Sequence, residues 1–188
     1  QLCAQTGWET RLFDSLPEGL DAGMARIDAF WNEGIQRGKT TAEQKSEWSG
    51  NLGATASLAD AVADVDLVIE AVPEILELKL EVFSDLDELA PPDAILGTNT
   101  SGLGVSGIAN ATNRPEKVIG MHFFNPVPIM QLLELVRHDG VSDDTISEAW
   151  AIGEAMGKTP ILVNDVPGFA TSRLGVVLGN EAIRMLAD

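Results

Sequence analysis

The amino-acid sequence predicts an α/β fold, a doubly wound and mostly parallel sheet with helices on both faces. Short apolar runs alternate along the chain with longer segments whose apolar residues recur every third or fourth position, which is the pattern of strands alternating with helices. Two of the apolar runs, DLVIEAV (66–72) and AILGTNT (94–100), lack the polar alternation of a half-exposed strand. We therefore expect both to be strands buried on their two faces.

The segment 9–64 predicts two strands and three helices. ETRLFD (9–14) predicts a strand, and the apolar spacing of 16–38 predicts a long helix. A mostly polar helix follows within 40–52, with Thr40 or Thr41 as its N-cap. GATASL then predicts a weak strand and LADAVAD a short helix.

The remainder of the chain continues the alternation and then changes character. Helices are predicted at 74–90, 104–112 and 142–157, and strands at 66–72, 94–100, 117–124, 130–138 and 159–165. A long helix is expected from residue 170 to 188. The PGF turn at 167–169 is the best candidate boundary, so we expect one domain in 1–166 and the start of an all-α second domain in 167–188.

Composition excludes several classes of function. The chain has 188 residues and a formal net charge of -17, from 29 acidic against 12 basic residues. This balance argues against nucleic acid as a partner, because such binding depends on neutralising phosphates. No run of 18 apolar residues is present, so no membrane span is expected. Cys3 is the single cysteine, which excludes an intrachain disulfide and favours a reducing, cytoplasmic location. No Cys/His pattern has zinc spacing, so no metal is expected.

The beginning of the chain suggests a nucleotide-binding fold that lacks its front. Such folds bind pyrophosphate on a glycine-rich turn, and an acid about 20 residues later bonds the adenosine ribose. No GxGxxG is present, but Asp14 ends the first predicted strand. Counting back places the turn before Gln1, and QLCAQTGW would be the tail of the phosphate-binding helix. Alternatively, Asp14 only starts a turn into the next helix.

His122 and Glu134 are the strongest candidates for proton-transfer chemistry. They lie twelve residues apart on two predicted strands joined by the short FNPVP connection. A carboxylate on one imidazole nitrogen selects the tautomer whose other nitrogen can accept a proton, as a general base requires. The alternative is a structural histidine with satisfied hydrogen bonds. His138, the second histidine, falls in a polar segment and is expected to be exposed.

Two further groups follow predicted strands, at the edge where open α/β sheets bind ligands. TNTSGL (98–103), which contains Ser101, is either part of such a site or only a turn. Glu70 and Glu74 flank AVP after the strand at 66–72. Glu74 either caps the following helix or faces a cofactor, and Lys79 is either near that site or solvated helix surface.

Taken in order, these motifs resemble the NAD-binding domain of the L-3-hydroxyacyl-CoA dehydrogenase family, whose fold is Rossmann-type. The resemblance covers essentially the whole chain through LFD, VIEAVPEILELKLEVF, TNTSGL, MHFFNPVPIMQLLELV and GKTPILVNDVPGFATSRL. HFFNPVP followed by a Glu in the next strand is its most specific part. The resemblance implies NAD-dependent, reversible oxidation of a 3-hydroxyacyl-CoA in fatty-acid β-oxidation or butanoate-type metabolism.

The resemblance also implies roles for individual residues. His122 would be the base and Glu134 the carboxylate that orients it. Ser101 would contact both the substrate oxygen and the cofactor. The other residues expected to bind the cofactor are Asp14 at the ribose, Asn125 near the nicotinamide, and Glu74 and Lys79 along the cofactor. The acid at Asp14 favours NAD over NADP.

The resemblance also implies residues that bind the substrate, and one of them differs from the family pattern. Arg37 or Lys39 falls where relatives contact CoA. PGFATSRL has Ser172 where the family usually has Asn, which leaves a shorter side chain for the contact to the substrate oxygen. A following helical domain would make the protein a homodimer. Two alternatives stay open: a related hydroxy-acid or sugar-acid dehydrogenase, and a relative that has lost catalysis.

Overall fold

A computed structural model describes residues 1–187 of the chain, which divides into two compact units, one covering Gln1–Val65 and the other beginning at Asp66. The mixed α/β architecture and the mostly parallel pairing of its strands confirm the predicted fold class. The strands form two separate sheets, one in each unit. The domain limits expected at 166 and 167 stay predictions.

The first unit is built around two parallel strands. Its elements are α1 (Leu2–Gln5), β1 (Thr10–Phe13), α2 (Pro17–Gln36), α3 (Ala42–Gly50), β2 (Leu52–Thr55) and α4 (Leu58–Val62). β1 pairs with β2 in register, Thr10 opposite Leu52. Pro17 starts α2, where its missing N–H costs no hydrogen bond. Thr41, one of the two predicted caps, forms a capping box with Gln44.

The second unit contains a five-stranded sheet of order β3-β4-β5-β6-β7. Its elements are β3 (Leu67–Glu70), α5 (Leu76–Leu89), β4 (Ile95–Thr98), α6 (Val105–Ala109), β5 (Val118–Phe123), β6 (Leu132–Arg137), α7 (Asp143–Ala155), β7 (Thr159–Asn164) and α8 (Thr171–Ala187). All neighbouring strands are parallel except β5 and β6, which are antiparallel. A short connection is sufficient for an antiparallel pair.

The two faces of the β5–β6 pair differ in character, one apolar and the other carrying a polar pair. Ile119, Met121, Leu133 and Leu135 form a fully buried cluster with Ala149 of α7. Because side chains alternate across a strand, the opposite face carries Gly120, His122, Glu134 and Val136. A Cβ at Gly120 would lie 2.6 Å from Cβ of Val136, so only glycine fits there. The alternation therefore separates the apolar core from a polar pair.

Strand β3 differs from its prediction. Leu67, Val68 and Ile69 are half-buried instead of buried on both faces. Within residues 1–187, β3 pairs with β4 on one side only, which leaves these three side chains partly accessible. By contrast, every residue of β4, which has neighbours on both sides, is buried as predicted.

The C-terminal end of α5 is held by Arg114. Its guanidinium donates to the carbonyl oxygens of Leu86, Asp87 and Ala90 at 3.0 to 3.1 Å, and to that of Pro91. The Asp87 carboxylate accepts from Arg114 Nε at 3.0 Å. The Leu86 carbonyl also accepts from the Ala90 N–H, and the Pro91 carbonyl also accepts from the Ala94 N–H. For Asp87 and Ala90, whose carbonyls lie past the last intrahelical donors, the buried guanidinium supplies the partner.

Replacing Arg114 with Met is expected to lower the free energy of unfolding by about 2 kcal/mol or more, because charged hydrogen bonds are lost and buried acceptors are left unpaired. Urea denaturation measures the loss. Arg26→Met is the matched control, since Arg26 is exposed on α2. Equal denaturation midpoints for the two variants would contradict this structural role.

No helix within residues 1–187 combines the length and the apolar character needed to cross a bilayer.

Candidate active site

His122 and Glu134 form a buried hydrogen-bonded pair. The antiparallel register places them directly opposite each other on β5 and β6, where paired side chains point to the same face. Nδ1 of His122 lies 2.7 Å from Oε2 of Glu134. The bond expected from the sequence is therefore present, and strand register is its cause.

Glu134 is held from a second direction by the start of α8. Its side chain is 0% exposed. Oε1 accepts hydrogen bonds from the backbone N–H groups of Ala170 at 3.1 Å and Thr171 at 2.9 Å. Oε2 accepts from the Thr171 hydroxyl at 3.0 Å as well as from His122. Sequence patterns gave no indication of Thr171, because the contact joins residues 37 positions apart.

The PGF turn brings this helix start into place. Gly168 has φ 74° and Phe169 has φ 47°, so both lie in the left-handed region that side chains avoid. A Cβ at Gly168 would lie 3.0 Å from the backbone nitrogen of Arg173. A non-glycine residue with positive φ costs free energy that the surrounding structure must supply. Here Phe169 is buried and packs against His122.

Two aromatic rings enclose His122. The ring of Phe124 lies 4.5 Å from the imidazole, centroid to centroid, and the ring of Phe169 lies 5.9 Å away in an edge contact. Nε2 makes no hydrogen bond to any other residue in the described part of the chain. With Nδ1–H donating to Glu134, the neutral tautomer leaves the Nε2 lone pair available to accept a proton. This assignment follows from the hydrogen-bond network.

The loop after β4 carries Ser101 at the carboxyl edge of the sheet. Thr98 and Thr100 are buried, whereas Ser101 is exposed. Glu74 orders this loop, since its Oε1 accepts from the Thr100 hydroxyl at 2.6 Å and from the Ser101 N–H at 2.8 Å. Partial burial would raise the pKa of Glu74, but these hydrogen bonds and the charge of Lys79 outweigh burial and lower it. Glu74 thus positions Ser101 and remains 44% exposed.

Lys79 is buried, in contrast to the interpretation as solvated helix surface. Its side chain is 1% exposed. Nζ lies 2.6 Å from Oε1 of buried Glu70, 3.3 Å from the Val72 carbonyl and 3.6 Å from Glu74. Oε2 of Glu70 accepts from the Thr98 hydroxyl at 2.7 Å. The Lys79–Glu70 ion pair and the Glu70–Thr98 hydrogen bond together connect α5, β3 and β4. The Lys79 ammonium is thus already paired with carboxylates of the protein, and its place along a cofactor stays a prediction.

Replacing Lys79 with Met is expected to lower the free energy of unfolding by about 3–5 kcal/mol, because it leaves the Glu70 carboxylate buried without its cation. Chemical denaturation measures the effect. Lys117→Met serves as control, since Lys117 is half-buried and forms no ion pair within residues 1–187. The double variant Lys79→Met, Glu70→Leu should recover part of the loss; failure to recover would argue against an unpaired charge as the cause.

Two further side chains arrange the connection between β5 and β6. Oδ1 of Asn99 accepts from the backbone N–H of Phe123 at 2.8 Å, which ties the Ser101 loop to the end of β5. Lys158 donates to the carbonyls of Val127 and Met130, the latter at 2.7 Å, and its burial lowers the pKa of its amine. Asn125 lies within this connection and is exposed. Neither Asn99 nor Lys158 was singled out from the sequence.

The remaining predicted site residues belong to other surroundings. In the first unit, Oδ1 of Asp14 accepts from the Leu16 N–H at 2.8 Å, so Asp14 does start the turn into α2, and its ribose role stays a prediction. Arg37 is exposed and pairs with Glu33 at 2.5 Å, and Lys39 is exposed. In the second unit, Ser172 is half-buried beside Thr171.

His138 is buried, and the expectation that it is exposed was wrong. Nε2 lies 3.0 Å from the Val118 carbonyl, and Nδ1 accepts from the Gly140 N–H at 3.1 Å. The polar sequence around it misled the prediction, because the residue after β6 turns back onto β5. His138 is thus the structural histidine of the chain, with both ring nitrogens satisfied.

Across residues 1–187, no group of three or more His, Cys, Asp or Glu side chains could hold a metal ion.

Comparison with known proteins decides the family. Residues 1–166 match the family model described as 3-hydroxyacyl-CoA dehydrogenase, NAD binding domain. The chain belongs to this family. The resemblance inferred from the HFFNPVP and TNTSGL motifs is therefore confirmed.

Relatives within the 3-hydroxyacyl-CoA dehydrogenase family match over most of the chain. A probable 3-hydroxybutyryl-CoA dehydrogenase of Bacillus subtilis is 40% identical over 183 residues, which are 97% of this chain and 63% of that protein. The fatty acid oxidation complex subunit alpha of Idiomarina loihiensis is 41% identical over 161 residues, 86% of this chain and 22% of that subunit. The chain thus spans less than two thirds of the length of these relatives.

Solved structures agree with the assignment to this family. The crystal structure of (S)-3-hydroxybutyryl-CoA dehydrogenase PaaH1 from Ralstonia eutropha superposes with a TM-score of 0.95 at 33% identity, covering 99% of this chain and 65% of that chain.

Proposed function

We propose that the full-length protein oxidises (S)-3-hydroxyacyl-CoA to 3-oxoacyl-CoA, reversibly, with NAD as the cofactor. The observation that carries this proposal is the His122–Glu134 pair, because it leaves Nε2 of a buried imidazole, at the carboxyl edge of β5, without a hydrogen-bond partner among residues 1–187. The names of relatives support the thioester substrate: one is a probable 3-hydroxybutyryl-CoA dehydrogenase and another belongs to a fatty acid oxidation complex.

The residues of the second unit fit the nicotinamide half of NAD. Ser101 and Asn125 are exposed, and Glu74 is partly so. They provide a hydroxyl, a carboxamide and a carboxylate, which suit a carboxamide and ribose hydroxyls. In the first unit, Asp14 directly follows β1 and is half-exposed, which suits the adenosine ribose and disfavours a 2′-phosphate. When bound, NAD supplies the nicotinamide ring that accepts a hydride.

The protein's own residues perform the proton transfer. Nε2 of His122 accepts the proton of the 3-hydroxyl group, and Glu134 stabilises the imidazolium that forms through its bond to Nδ1–H. Ser101 is the proposed partner of the substrate oxygen, held through its N–H by Glu74. The phenyl rings beside His122 restrict water around the imidazole. In the reverse direction His122 returns the proton.

Residues other than His122 and Glu134 are proposed to bind the substrate. Arg37 or Lys39 is the proposed contact for CoA, and Ser172 the proposed contact for the substrate oxygen where the family usually has Asn. We further propose a homodimer and a cytoplasmic location. The charge of -17 supports the expectation that neither nucleic acid nor a membrane surface is a partner, because both are commonly anionic.

The decisive experiment follows NADH absorbance in the full-length protein with acetoacetyl-CoA. Oxidation of NADH that requires the thioester would support the proposal. Acetoacetate without CoA is the matched control, and NADPH replaces NADH in a second control. Turnover of acetoacetate at the same rate would instead favour a hydroxy-acid dehydrogenase. No turnover with acyl groups of any length would favour a relative without catalysis.

A further inference from the structure

The Glu134 carboxylate has all of its hydrogen-bonding capacity filled. A carboxylate offers roughly four acceptor positions. In this structure four donors take them: His122 Nδ1 and the Thr171 hydroxyl on Oε2, and two backbone N–H groups on Oε1. The carboxylate is 0% exposed, so bulk water does not reach it. Its orientation therefore depends on every donor.

Two of the four donors are side-chain groups, the His122 imidazole and the Thr171 hydroxyl. The Thr171 hydroxyl bonds the same oxygen, Oε2, that accepts from His122. The N–H of Thr171 bonds the other oxygen, Oε1. Thr171 therefore bonds both oxygens of Glu134 and restricts rotation of the carboxylate about χ3, a torsion that is otherwise broad.

We propose that Thr171 is a positioning residue, which holds Glu134 so that Oε2 faces Nδ1 of His122 and Nε2 keeps the lone pair needed for proton transfer. This inference rests on the proposed dehydrogenase function. Without the hydroxyl, one buried acceptor position of Oε2 is empty, and the carboxylate can turn to recover a donor. The imidazole then loses its fixed tautomer and orientation, as happens when an outer partner of a functional histidine is removed.

Thr171 also links the His122–Glu134 pair to helix α8. It is the first residue of α8, and the left-handed PGF turn sets its position. The orientation of the His122 imidazole on β5 therefore depends, through Glu134, on the position of the first residue of α8. The hydroxyl is the part of this link that substitution can remove while the two backbone N–H groups remain.

The test compares Thr171→Val, which keeps the shape and removes the hydroxyl, with Thr171→Ser, which keeps the hydroxyl. In the full-length protein we expect Thr171→Val to lower kcat roughly 10- to 100-fold and to change KM less than about threefold. Thr171→Ser should stay within about threefold of the wild-type kcat. Thr159→Val is the matched control, since that threonine is exposed on β7. Thr171→Ala replaces the valine variant should valine prevent folding.

A spectroscopic measurement separates positioning from general damage. In protein labelled with ¹⁵N-histidine, the Nδ1–H signal of His122, identified by its absence in His122→Gln, should shift or broaden in Thr171→Val and return in Thr171→Ser. The signals of His138 should not move in either variant. An unchanged Nδ1–H signal, or a kcat loss that serine does not restore, would overturn the proposal. If the wild type shows no turnover, the proposed function fails, while this signal still decides whether Thr171 orients the pair.

Discussion

Replacing His122 with Ala is expected to lower kcat by roughly 10²- to 10⁴-fold, which is the usual contribution of a positioned general base. The substitution removes Nε2, the group proposed to accept the hydroxyl proton, and it leaves the cofactor and CoA contacts in place. KM for acetoacetyl-CoA should therefore change much less than kcat. The measurement is the initial rate of NADH oxidation over a range of thioester concentrations.

His138→Gln is the control for the histidine experiment. His138 is buried and bonded to Val118 and Gly140, so its replacement should lower the denaturation midpoint and leave kcat nearly unchanged. The two histidines thus predict opposite outcomes: activity loss at position 122 and stability loss at position 138. A His122→Ala protein that retains wild-type kcat would remove the base from the proposed mechanism.

Replacing Glu134 with Gln is expected to reduce kcat on a similar scale, roughly 10²- to 10⁴-fold, although the shape of the side chain is conserved. Four donors face this carboxylate, and an amide has only one oxygen to accept from them. With that oxygen toward the two N–H groups, the amide NH₂ faces His122. The imidazole then has to accept at Nδ1 and carry its proton on Nε2, which abolishes its capacity as a base.

The same substitution should also destabilise the fold by about 1–3 kcal/mol, because buried donors lose their acceptor. Comparing kcat with the denaturation midpoint separates the two effects, and lowering the temperature should restore folding but not activity. Glu88→Gln, on the exposed face of α5, is the matched control and should alter neither quantity. Wild-type activity in Glu134→Gln would show that orientation by the carboxylate is dispensable.

Much of the fold was accessible from local patterns. The strand and helix order of both units follows the predicted alternation, and Thr41 caps α3 as one of two expected caps. These predictions succeed because the spacing of apolar residues and the capping groups act between near neighbours. The burial of β3 departs from its prediction within residues 1–187, where β3 pairs with β4 on one side only.

Some features of the candidate site were likewise predictable from the sequence, and others were not. The sequence by itself determined the residue types, their order and the family resemblance, and it singled out His122, Glu134, Ser101 and Glu74 as candidate site residues. Only the tertiary structure decided which histidine is satisfied by the backbone, that Lys79 lies buried on Glu70, and that Thr171 completes the shell around Glu134. Strand register and the turn before α8 produce these contacts. They join residues far apart in the chain, where local spacing carries no information about which groups meet.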